Sequence, residues 1–447
     1  MKQLRIPIVI VGAGMAGLSA AWRLDKRGFH DFVVLEMETQ PGGNARWGEN
    51  DISRYPWAAH YVPVPVKGEE LVHELFEEFG LYRDGRWDER ALCFDPQERL
   101  FLHGRWQEGI EPELGATPRD REQYRRFEAQ MKEFRASGKF TIPMQRGAKP
   151  SPLDRVSFDQ WLNQQGFNSP YLRWYTNYAC RDDYGALAKD TSAWAGIHYF
   201  ASREPEEKGP LTWPEGNGWI TRKLTAKLGR YLRTNEMVYR ISGDRVLTQQ
   251  TEYVADSIIF AAPTFLAQYI IEGAPPATGF EYSPWLTANL TLDHPPAENG
   301  SEVAWDNVIL ESPGLGYVDA THMSVATRED RSVWTYYWSL AEYAPAQART
   351  LLLQHDWNYW KEAILNDLSR AHPDIRSCVS RIDIMRMGHA MIRPSPGFLF
   401  SDDRARWLNP QGRVHFANSD LSGFSIFEEA QYRGVTAADR ILTGHNR

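Results

Sequence analysis

Three glycines near the start of the chain, Gly12, Gly14 and Gly17, follow the spacing G-x-G-x-x-G. Gly12 permits a tight turn, Gly14 lets a pyrophosphate approach the backbone, and Gly17 lets a helix pack closely on a strand. A helix that begins at such a turn offers free N–H groups and the positive end of its dipole to phosphates. The spacing therefore predicts binding of a dinucleotide.

The elements that would position these glycines are recognisable on both sides of them. The apolar run Ile6–Val11 predicts a strand, and the apolar spacing within Leu18–Leu24 predicts a helix. A second predicted strand, Phe32–Leu35, ends at Glu36, where a carboxylate accepts a hydrogen bond from a ribose hydroxyl. Because both strands, the helix and the acidic residue occur in the expected order, a glycine-rich turn that binds no ligand is disfavoured.

Composition restricts the classes of protein that the chain can belong to. The chain has 447 residues, of which 42% are hydrophobic, and its formal net charge is −8. The length predicts about two to three domains, and the negative charge argues against a nucleic-acid partner. The three cysteines, Cys93, Cys180 and Cys378, are far apart. We expect free thiols and no metal site.

The sequence also predicts a location. No run of about 18 apolar residues indicates a transmembrane segment. The first predicted strand begins close to Met1, which leaves no room for a secretory signal, and the C-terminal segment AADRILTGHNR is polar. These features predict a cytoplasmic protein.

Secondary-structure signals follow the first unit in an interleaved order. Helical patterns cover Gly68–Phe79, Arg119–Phe134 and Pro345–Leu368, and a hairpin is expected to turn at His103–Gly104. Strand signals occur in EMVYRIS, RVLTQQ and VADSIIFAAP, and antiparallel strands are expected from Leu286–Leu292 to Val333–Trp338. The chain is therefore expected to leave its nucleotide-binding domain and return to it.

Two further segments favour FAD over NAD, which remains the alternative. PGGNARWG follows the Glu36 strand, with Gly42 and Gly43 open to close approach and Arg46 able to contact a phosphate. The late strand VHFANSD ends at Asp420 and precedes a helix. An acid and helix N–H groups would thus meet the far end of an elongated dinucleotide.

Together these motifs resemble the FAD-dependent oxidoreductases of the flavin amine oxidase superfamily, which includes monoamine and polyamine oxidases, protoporphyrinogen oxidase and carotenoid desaturases. VGAGMAGLSAAWRL, PGGNAR, YPWAAHYVP, PEGNGWITRKL, MVYRI, SIIFAAP and FANSD…FEEAQYRGVTAA occur in the order of that family. The resemblance implies a Rossmann-like α/β FAD-binding domain of discontinuous segments and an α+β substrate domain with an antiparallel sheet and helices. The expected FAD-binding domain comprises residues 1–64, 212–284 and 381–447, and the substrate domain residues 65–211 and 285–380.

The resemblance also assigns the cofactor site. It places Ala58, Ala59 and His60 near the isoalloxazine ring, and Val238 against adenine. FAD is expected to be non-covalent because no cysteine lies near the terminal motif. The implied FAD-binding residues are Gly12, Gly14, Ala16, Gly17, Glu36, Gly43, Asn44, Ala45, Arg46, Ala58, Ala59, Val238, Ala261, Asp420 and Phe427.

Two departures from the family leave the reaction open. Many amine oxidases place a lysine opposite the flavin, but this chain has no lysine between Lys227 and Lys361. Ile426 stands where the family often has an aromatic residue. These departures keep a dehydrogenase, a desaturase and an isomerase open beside an oxidase.

The candidate reacting residues are His60 and His389. His60 would lie beside the flavin ring, and His389 would enter the substrate side. Arg393 is a candidate for binding an anionic group, while Trp57, Met391 and Ile426 are expected to line the substrate pocket. The pair Asp182 and Asp183 is interpreted as solvated helix-capping residues, with recognition of a cation as the alternative.

The function predicted from these observations is oxidation of a small or medium organic substrate by hydride transfer to FAD, with an amine as the leading substrate class. The electron acceptor, dioxygen or another, stays open. One alternative is a flavin-dependent desaturase or isomerase of an apolar substrate. Another is a non-catalytic FAD-binding redox sensor.

Overall fold

The computed structural model of the protein describes residues 2–203, 209–324 and 330–445. A five-stranded, fully parallel sheet organises the nucleotide-binding region. Its strands follow the order Leu232–Arg233, Phe32–Leu35, Ile8–Val11, Ser257–Phe260 and Val414–Phe416. Residues far apart in the sequence thus form this one sheet, to which the chain returns more than once.

Both faces of the central strand Ile8–Val11 are buried, and successive side chains enter different cores. Ile8 and Ile10 join a core that includes residues of the helices Met15–Lys26, Gly218–Leu228 and Phe427–His445. Val9 and Val11 face the second core. That core includes side chains of a four-stranded sheet in the order Lys2–Arg5, Thr251–Val254, Arg245–Thr248 and Val238–Ser242.

A seven-stranded sheet forms the other main part of the protein. All its pairings are antiparallel except that between Glu98–Leu102 and Asp306–Ile309. The strand order is Arg105–Glu108, Glu98–Leu102, Asp306–Ile309, Tyr317–Asp319, Ser332–Trp338, Tyr282–Leu292 and Val379–Ile392.

Two helices share a hydrophobic core with this sheet, and a second group of helices packs in a different core. Pro345–Gln354 and Trp357–Leu368 share a core with Leu286 and Leu290, which lie on one face of the sheet. A second helical group has an aromatic core and comprises Pro118–Ala136, Phe158–Gln164, Pro170–Tyr184 and Ala193–Ala201.

Short elements complete the described fold. Two-stranded ladders join Tyr61–Val62 with Leu211–Thr212, Trp47–Glu49 with Arg54–Pro56, and Tyr82–Arg83 with Arg86–Trp87. The remaining α-helices are Glu70–Glu78, Met144–Gly147, Ala267–Ile270, Ile375–Cys378 and Asp402–Ala405. Within the described ranges, no helix has the length and apolar character needed to cross a bilayer.

Two element boundaries differ from the sequence prediction. The single helix expected over Pro345–Leu368 is wrong, because the first helix ends at Gln354 and the Asp356 side chain caps the second by accepting a hydrogen bond from Tyr359 N–H at 3.0 Å. The segment VADSIIFAAP contributes to two strands, Thr251–Val254 and Ser257–Phe260, which belong to different sheets. The hairpin turn at His103–Gly104 is confirmed, and both residues have positive φ.

The buried His198 makes the stability of this fold sensitive to acid. Its ring stacks on Phe424 at 4.6 Å, and its Nε2 hydrogen-bonds Thr141 O at 3.0 Å. Burial lowers the pKa of His198 from 6.5 to about 4, so unfolding takes up a proton in the window between these values. Its stabilising contribution is complete above pH 6.5 and is lost as the pH falls toward 4.

We therefore expect the free energy of unfolding of His198→Phe to depend less on pH than that of the wild type. The Phe ring keeps the stacking but cannot titrate. Between pH 7 and pH 5 the variant should lose about 2 kcal/mol less stability than the wild type. Urea unfolding at both pH values measures this difference, and equal losses in the two proteins would contradict the assignment.

Candidate functional site

A cavity of about 370 Å³ lies at the carboxyl ends of the parallel strands. Open α/β sheets bind ligands at this edge. Among the described residues, most of those predicted to bind the cofactor line this cavity. The predicted residues found there are Gly12, Gly14, Ala16, Glu36, Gly43, Asn44, Ala45, Arg46, Ala59, Val238, Ala261, Asp420 and Phe427.

The glycine turn has the geometry that its spacing predicts. Gly12 has φ +99°, and a Cβ on Gly17 would lie 1.9 Å from Gly12 O, so the helix and the turn are in direct contact. Gly14 precedes the helix Met15–Lys26 without a side-chain cap. The nearest atom to a Cβ on Gly14 would be Gly43 Cα at 4.0 Å. The helix N-terminus and the open position at Gly14, which we call the phosphate cradle, have a geometry that suits a phosphate group.

Glu36 is held in place by backbone donors at the edge of the cavity. One carboxylate oxygen accepts a hydrogen bond from Ala13 N–H at 2.8 Å, and the other accepts one from Glu38 N–H at 2.9 Å. Beside it, Met37 and Met237 line the cavity with 56% and 39% of their surface exposed. The sequence pattern did not identify these two side chains. Their exposed surface in the cavity is suited to packing against a ring of a bound ligand.

Asp420 fixes the opposite wall of the cavity. Its carboxylate accepts hydrogen bonds from Thr264 N–H at 2.7 Å, from Thr264 Oγ1 at 2.8 Å and from the Tyr282 hydroxyl. Burial raises the pKa of Asp420. The carboxylate is thus engaged by protein donors and holds Ala261–Thr264 in position. Neither Thr264 nor Tyr282 was predicted, because their partner lies more than a hundred residues away.

Asn44 and Arg46 connect the cavity to the seven-stranded sheet. The Asn44 side-chain amide donates to Ala390 O at 2.7 Å, and Ala390 lies on the strand Val379–Ile392. Arg46 Nε donates to Gly43 O at 3.1 Å, while its Nη2 lies 3.9 Å from Met385 Sδ on the same strand. These contacts hold the cavity and the sheet together.

The loop Trp57–His60 lies between the cavity and the rings of Tyr61, Trp305 and Tyr337, which we call the aromatic pocket. Ala59 lines the cavity, and its N–H donates to Asn44 O at 2.9 Å. Ala58 is absent from the lining, and its carbonyl accepts a hydrogen bond from the Tyr337 hydroxyl at 2.9 Å. The loop is therefore anchored on both sides.

His60 faces the aromatic pocket. Its ring lies 5.1 Å from Tyr61, 5.4 Å from Trp305 and 4.9 Å from Tyr337, measured between ring centroids. Nδ1 is 3.3 Å from Ala58 O, so a proton on Nδ1 leaves Nε2 as a hydrogen-bond acceptor. Burial lowers the pKa of His60 to about 4, and His60 is therefore neutral at pH 7.

The second predicted histidine has a different setting. His389 lines the dinucleotide cavity and stacks on Phe265 at 4.4 Å. Burial, with a smaller effect of Arg349, lowers its pKa. Ile426 also lines this cavity. The structure thus places His389 and Ile426 with the cofactor residues.

Three residues predicted to contact substrate lie outside the lining of the dinucleotide cavity. Trp57 packs edge-on against Tyr55 at 5.6 Å, and Met391 packs against the apolar cluster around the aromatic pocket. Arg393 is 5% exposed and lies 3.6 Å from Asp190, which provides it with a protein counter-charge.

The interpretation of Asp182 and Asp183 as solvated helix caps is wrong. Gly185, in the left-handed conformation, ends the helix Pro170–Tyr184, and both carboxylates lie in the protein interior. Burial, reinforced by Asp183, raises the pKa of Asp182 to about 7. The short local pattern could not show that an antiparallel sheet covers this end of the helix.

A cavity at the carboxyl ends of a parallel sheet, next to a separate antiparallel sheet, is typical of a protein that binds a dinucleotide in one part and a substrate in the other. The family model "Flavin containing amine oxidoreductase" matches residues 15–442. The chain therefore belongs to the flavin-containing amine oxidoreductase family. The predictions of the family and of a flavin-dependent oxidoreductase are confirmed.

A short segment of the sequence is similar to L-amino-acid oxidases. The chain is 43% identical over 75 residues to L-amino-acid oxidase from Daboia russelii and 41% identical over 75 residues to L-amino acid oxidase Lm29 from Lachesis muta. Each alignment covers 17% of this chain and 14% of the relative. Only a small part of these curated relatives is thus represented in the match.

Solved structures show the likeness of fold over the whole chain. Putrescine oxidase bound to putrescine is 18% identical with a TM-score of 0.74, and cyclohexylamine oxidase from Brevibacterium oxydans IH-35A is 17% identical with a TM-score of 0.74. Each alignment covers 99% of this chain and 100% of the other. A fatty acid isomerase from P. acnes is 16% identical, with a TM-score of 0.68 and coverage of 97% and 98%. The predicted fold class is confirmed.

Proposed function

We propose that the protein binds FAD without a covalent bond and oxidises an amine by hydride transfer. The observation that carries this proposal is the position of the loop Trp57–His60, because Ala59 lines the dinucleotide cavity while His60 faces the aromatic pocket. A substrate in that pocket would lie next to the flavin end of a dinucleotide. The amine substrates named for two similar structures and the name of the family support this substrate class.

The cavity suits FAD at both ends. The cradle at Gly14 would receive the pyrophosphate, Glu36 a ribose hydroxyl, and Met37 with Met237 the adenine ring. At the other end, Asn44 and Ala59 would border the flavin ring. All three cysteines are buried away from this lining, which supports non-covalent binding.

The chemistry that bound FAD would supply is acceptance of a hydride from the substrate carbon next to nitrogen, which leaves the substrate as a protonated imine. The protein positions that carbon. The rings of Trp305 and Tyr337 enclose the substrate and exclude water. His60 is neutral and weakly basic, so its Nε2 accepts a hydrogen bond from a substrate N–H rather than holding a full proton.

An apolar substrate is less favourable here, although a fatty acid isomerase shares the fold. Interior carboxyl groups at Asp182 and Asp306 would be next to hydrocarbon, where a polar group without a hydrogen-bond partner is costly. We retain the predicted two-domain division, which the separate parallel and antiparallel sheets support. We also propose a cytoplasmic location, supported by three free and buried cysteines.

Anaerobic addition of amines to the purified flavoprotein tests the proposed reaction. We expect at least one primary amine to bleach the visible absorbance band of the flavin, whereas apolar dienes leave it unchanged. His60→Leu should retain flavin but slow reduction by about 10-fold, because one substrate hydrogen bond is lost. A flavoprotein that no amine reduces would contradict the proposal and favour a redox sensor, and a colourless protein that binds NAD would contradict the FAD assignment.

A further inference from the structure

A surface recess of about 450 Å³ lies beyond the end of the strand Val379–Ile392. Arg393, predicted from the sequence to bind an anionic group, lines this recess. The other lining residues come from 189–190, 281, 341–345 and 395–396, and none of them lines the dinucleotide cavity. We call this cavity the Arg393 recess.

The Arg393 recess and the dinucleotide cavity lie on opposite faces of one pair of strands. Tyr282 and Ile392 are register partners, and both line the dinucleotide cavity. Their neighbours Glu281 and Arg393 continue the ladder, because Arg393 N–H donates to Glu281 O at 2.8 Å, and both line the recess. Successive side chains of a strand point to opposite faces. A ligand in the recess would therefore leave the dinucleotide cavity free.

The guanidinium of Arg393 is buried but lacks partners. Arg393 is 5% exposed, and its Nε has no hydrogen-bond partner among the described residues. The ion pair with Asp190 spans 3.6 Å from Nη2 to Oδ2, which is too long for a hydrogen bond. A guanidinium stays charged in the interior and presents a planar fork of N–H donors. Oxygen atoms of a ligand in the recess would satisfy these donors.

The helix Pro345–Gln354 begins at the same recess. Ala344 and Pro345 line the recess, and Ala344, at the N-cap, makes no side-chain hydrogen bond to the helix. The first turn contains no acidic residue. The first N–H groups of a helix have no partner within it, and the positive end of its dipole attracts anions. Arg393 and this uncapped helix start are thus two independent features that favour one anionic group.

The charges around the recess restrict the ligand further. Lys189 and Arg393 share the lining with three carboxylates, Asp190, Glu281 and Glu342. These carboxylates would repel a doubly charged phosphate, whereas a singly charged carboxylate matches the planar guanidinium. Glu281 and Glu342 are exposed, and each accepts one hydrogen bond from the protein, which leaves acceptor capacity for a cation. A ligand that carries both charges therefore fits better than an anion alone.

We propose that the Arg393 recess binds a small zwitterion, with its carboxylate on Arg393 and the start of the helix Pro345–Gln354, and its ammonium group toward Glu281 and Glu342. This binding is separate from the proposed amine oxidation, because the recess shares no lining residue with the dinucleotide cavity. The buried guanidinium anchors the carboxylate, and the exposed carboxylates select for the ammonium group.

Calorimetric titration of the purified holoprotein without dioxygen tests the proposal. The probes are ω-amino acids from glycine to 6-aminohexanoate, each beside the n-alkanoate and the n-alkylamine of equal carbon number, and inorganic phosphate. We expect at least one amino acid to bind at least about 10-fold more tightly than both of its partners. Arg393→Met should weaken this binding at least about 10-fold, and Arg393→Lys should recover only part of it, since an ammonium lacks the planar fork.

Matched variants locate the bound ligand. Glu281→Gln changes an exposed side chain, so the fold is retained, and it should reduce the preference for the amino acid over the alkanoate without weakening alkanoate binding. Arg381→Met, which removes an exposed arginine elsewhere, and His60→Leu, which alters the aromatic pocket, should both bind the amino acid as the wild type does.

Three results would overturn this inference. One is that no amino acid binds more tightly than its alkanoate, and another is that phosphate binds more tightly than every carboxylate. The third is that affinity is lost in His60→Leu but kept in Arg393→Met, which would place the ligand in the aromatic pocket. None of these results bears on the reduction of the flavin by amines, which is measured separately. Failure of the inference and failure of the proposed function are therefore distinguishable.

Discussion

Gly17→Ala is expected to yield protein that retains no flavin and has a lowered Tm. The added Cβ would lie 1.9 Å from Gly12 O and 3.1 Å from Gly12 C, and neither backbone atom can rotate away. The helix Met15–Lys26 would have to move off the turn, which removes its N-terminus from the phosphate cradle. The ratio of flavin absorbance to protein absorbance, together with the Tm, measures both effects.

Gly14→Ala separates loss of cofactor from loss of fold. A Cβ at Gly14 meets only Gly43 Cα, at 4.0 Å, and Gly14 has extended backbone that alanine adopts. This variant should keep the Tm of the wild-type apoprotein but bind FAD more weakly, since the methyl group occupies the approach of the pyrophosphate. Full flavin occupancy in Gly17→Ala would show that the turn does not hold the cofactor.

The lining of the candidate cofactor cavity was largely predictable, because local backbone geometry determines most of it. Gly12, Gly14 and Glu36 act within one strand–turn–helix–strand unit, whose spacing is visible in the sequence. Asp420 was recognisable because a strand and a helix flank it. Its hydrogen bonds with Thr264 and Tyr282 were not predictable, since they depend on how distant segments pack.

The substrate side was predicted less well because tertiary packing decides it. Asp182 and Asp183 look like ordinary polar residues at a helix end, and only the covering sheet makes them interior groups. Glu98 and Asp306 are 208 positions apart, and their register pairing cannot be seen in the sequence. A strand signal indicates that side chains alternate, but not which strand will be its neighbour.

The part of the seven-stranded sheet that carries Glu98 and Asp306 depends on one buried cation, Arg99. Arg99 has no exposed surface, and its guanidinium lies 3.9 Å from the Trp106 ring centroid. It donates to both oxygens of Glu298, at 2.8 and 3.1 Å, and to the Tyr317 hydroxyl at 3.0 Å. Its Nε donates to Asn307, the neighbour of Asp306.

Arg99→Met is therefore expected to lower the free energy of unfolding by about 3–5 kcal/mol, because Glu298, Asn307 and Tyr317 lose a buried partner at once. Arg99→Lys should recover only part of this loss, since an ammonium cannot reproduce the planar fork of donors that contacts Glu298 through two nitrogens. Arg381→Met is the matched control, because Arg381 forms a solvent-exposed pair with Asp383 and its removal should leave stability unchanged. Urea unfolding of the three variants measures these differences. If Arg99→Met were as stable as Arg381→Met, the buried guanidinium would not be what holds this part of the sheet together.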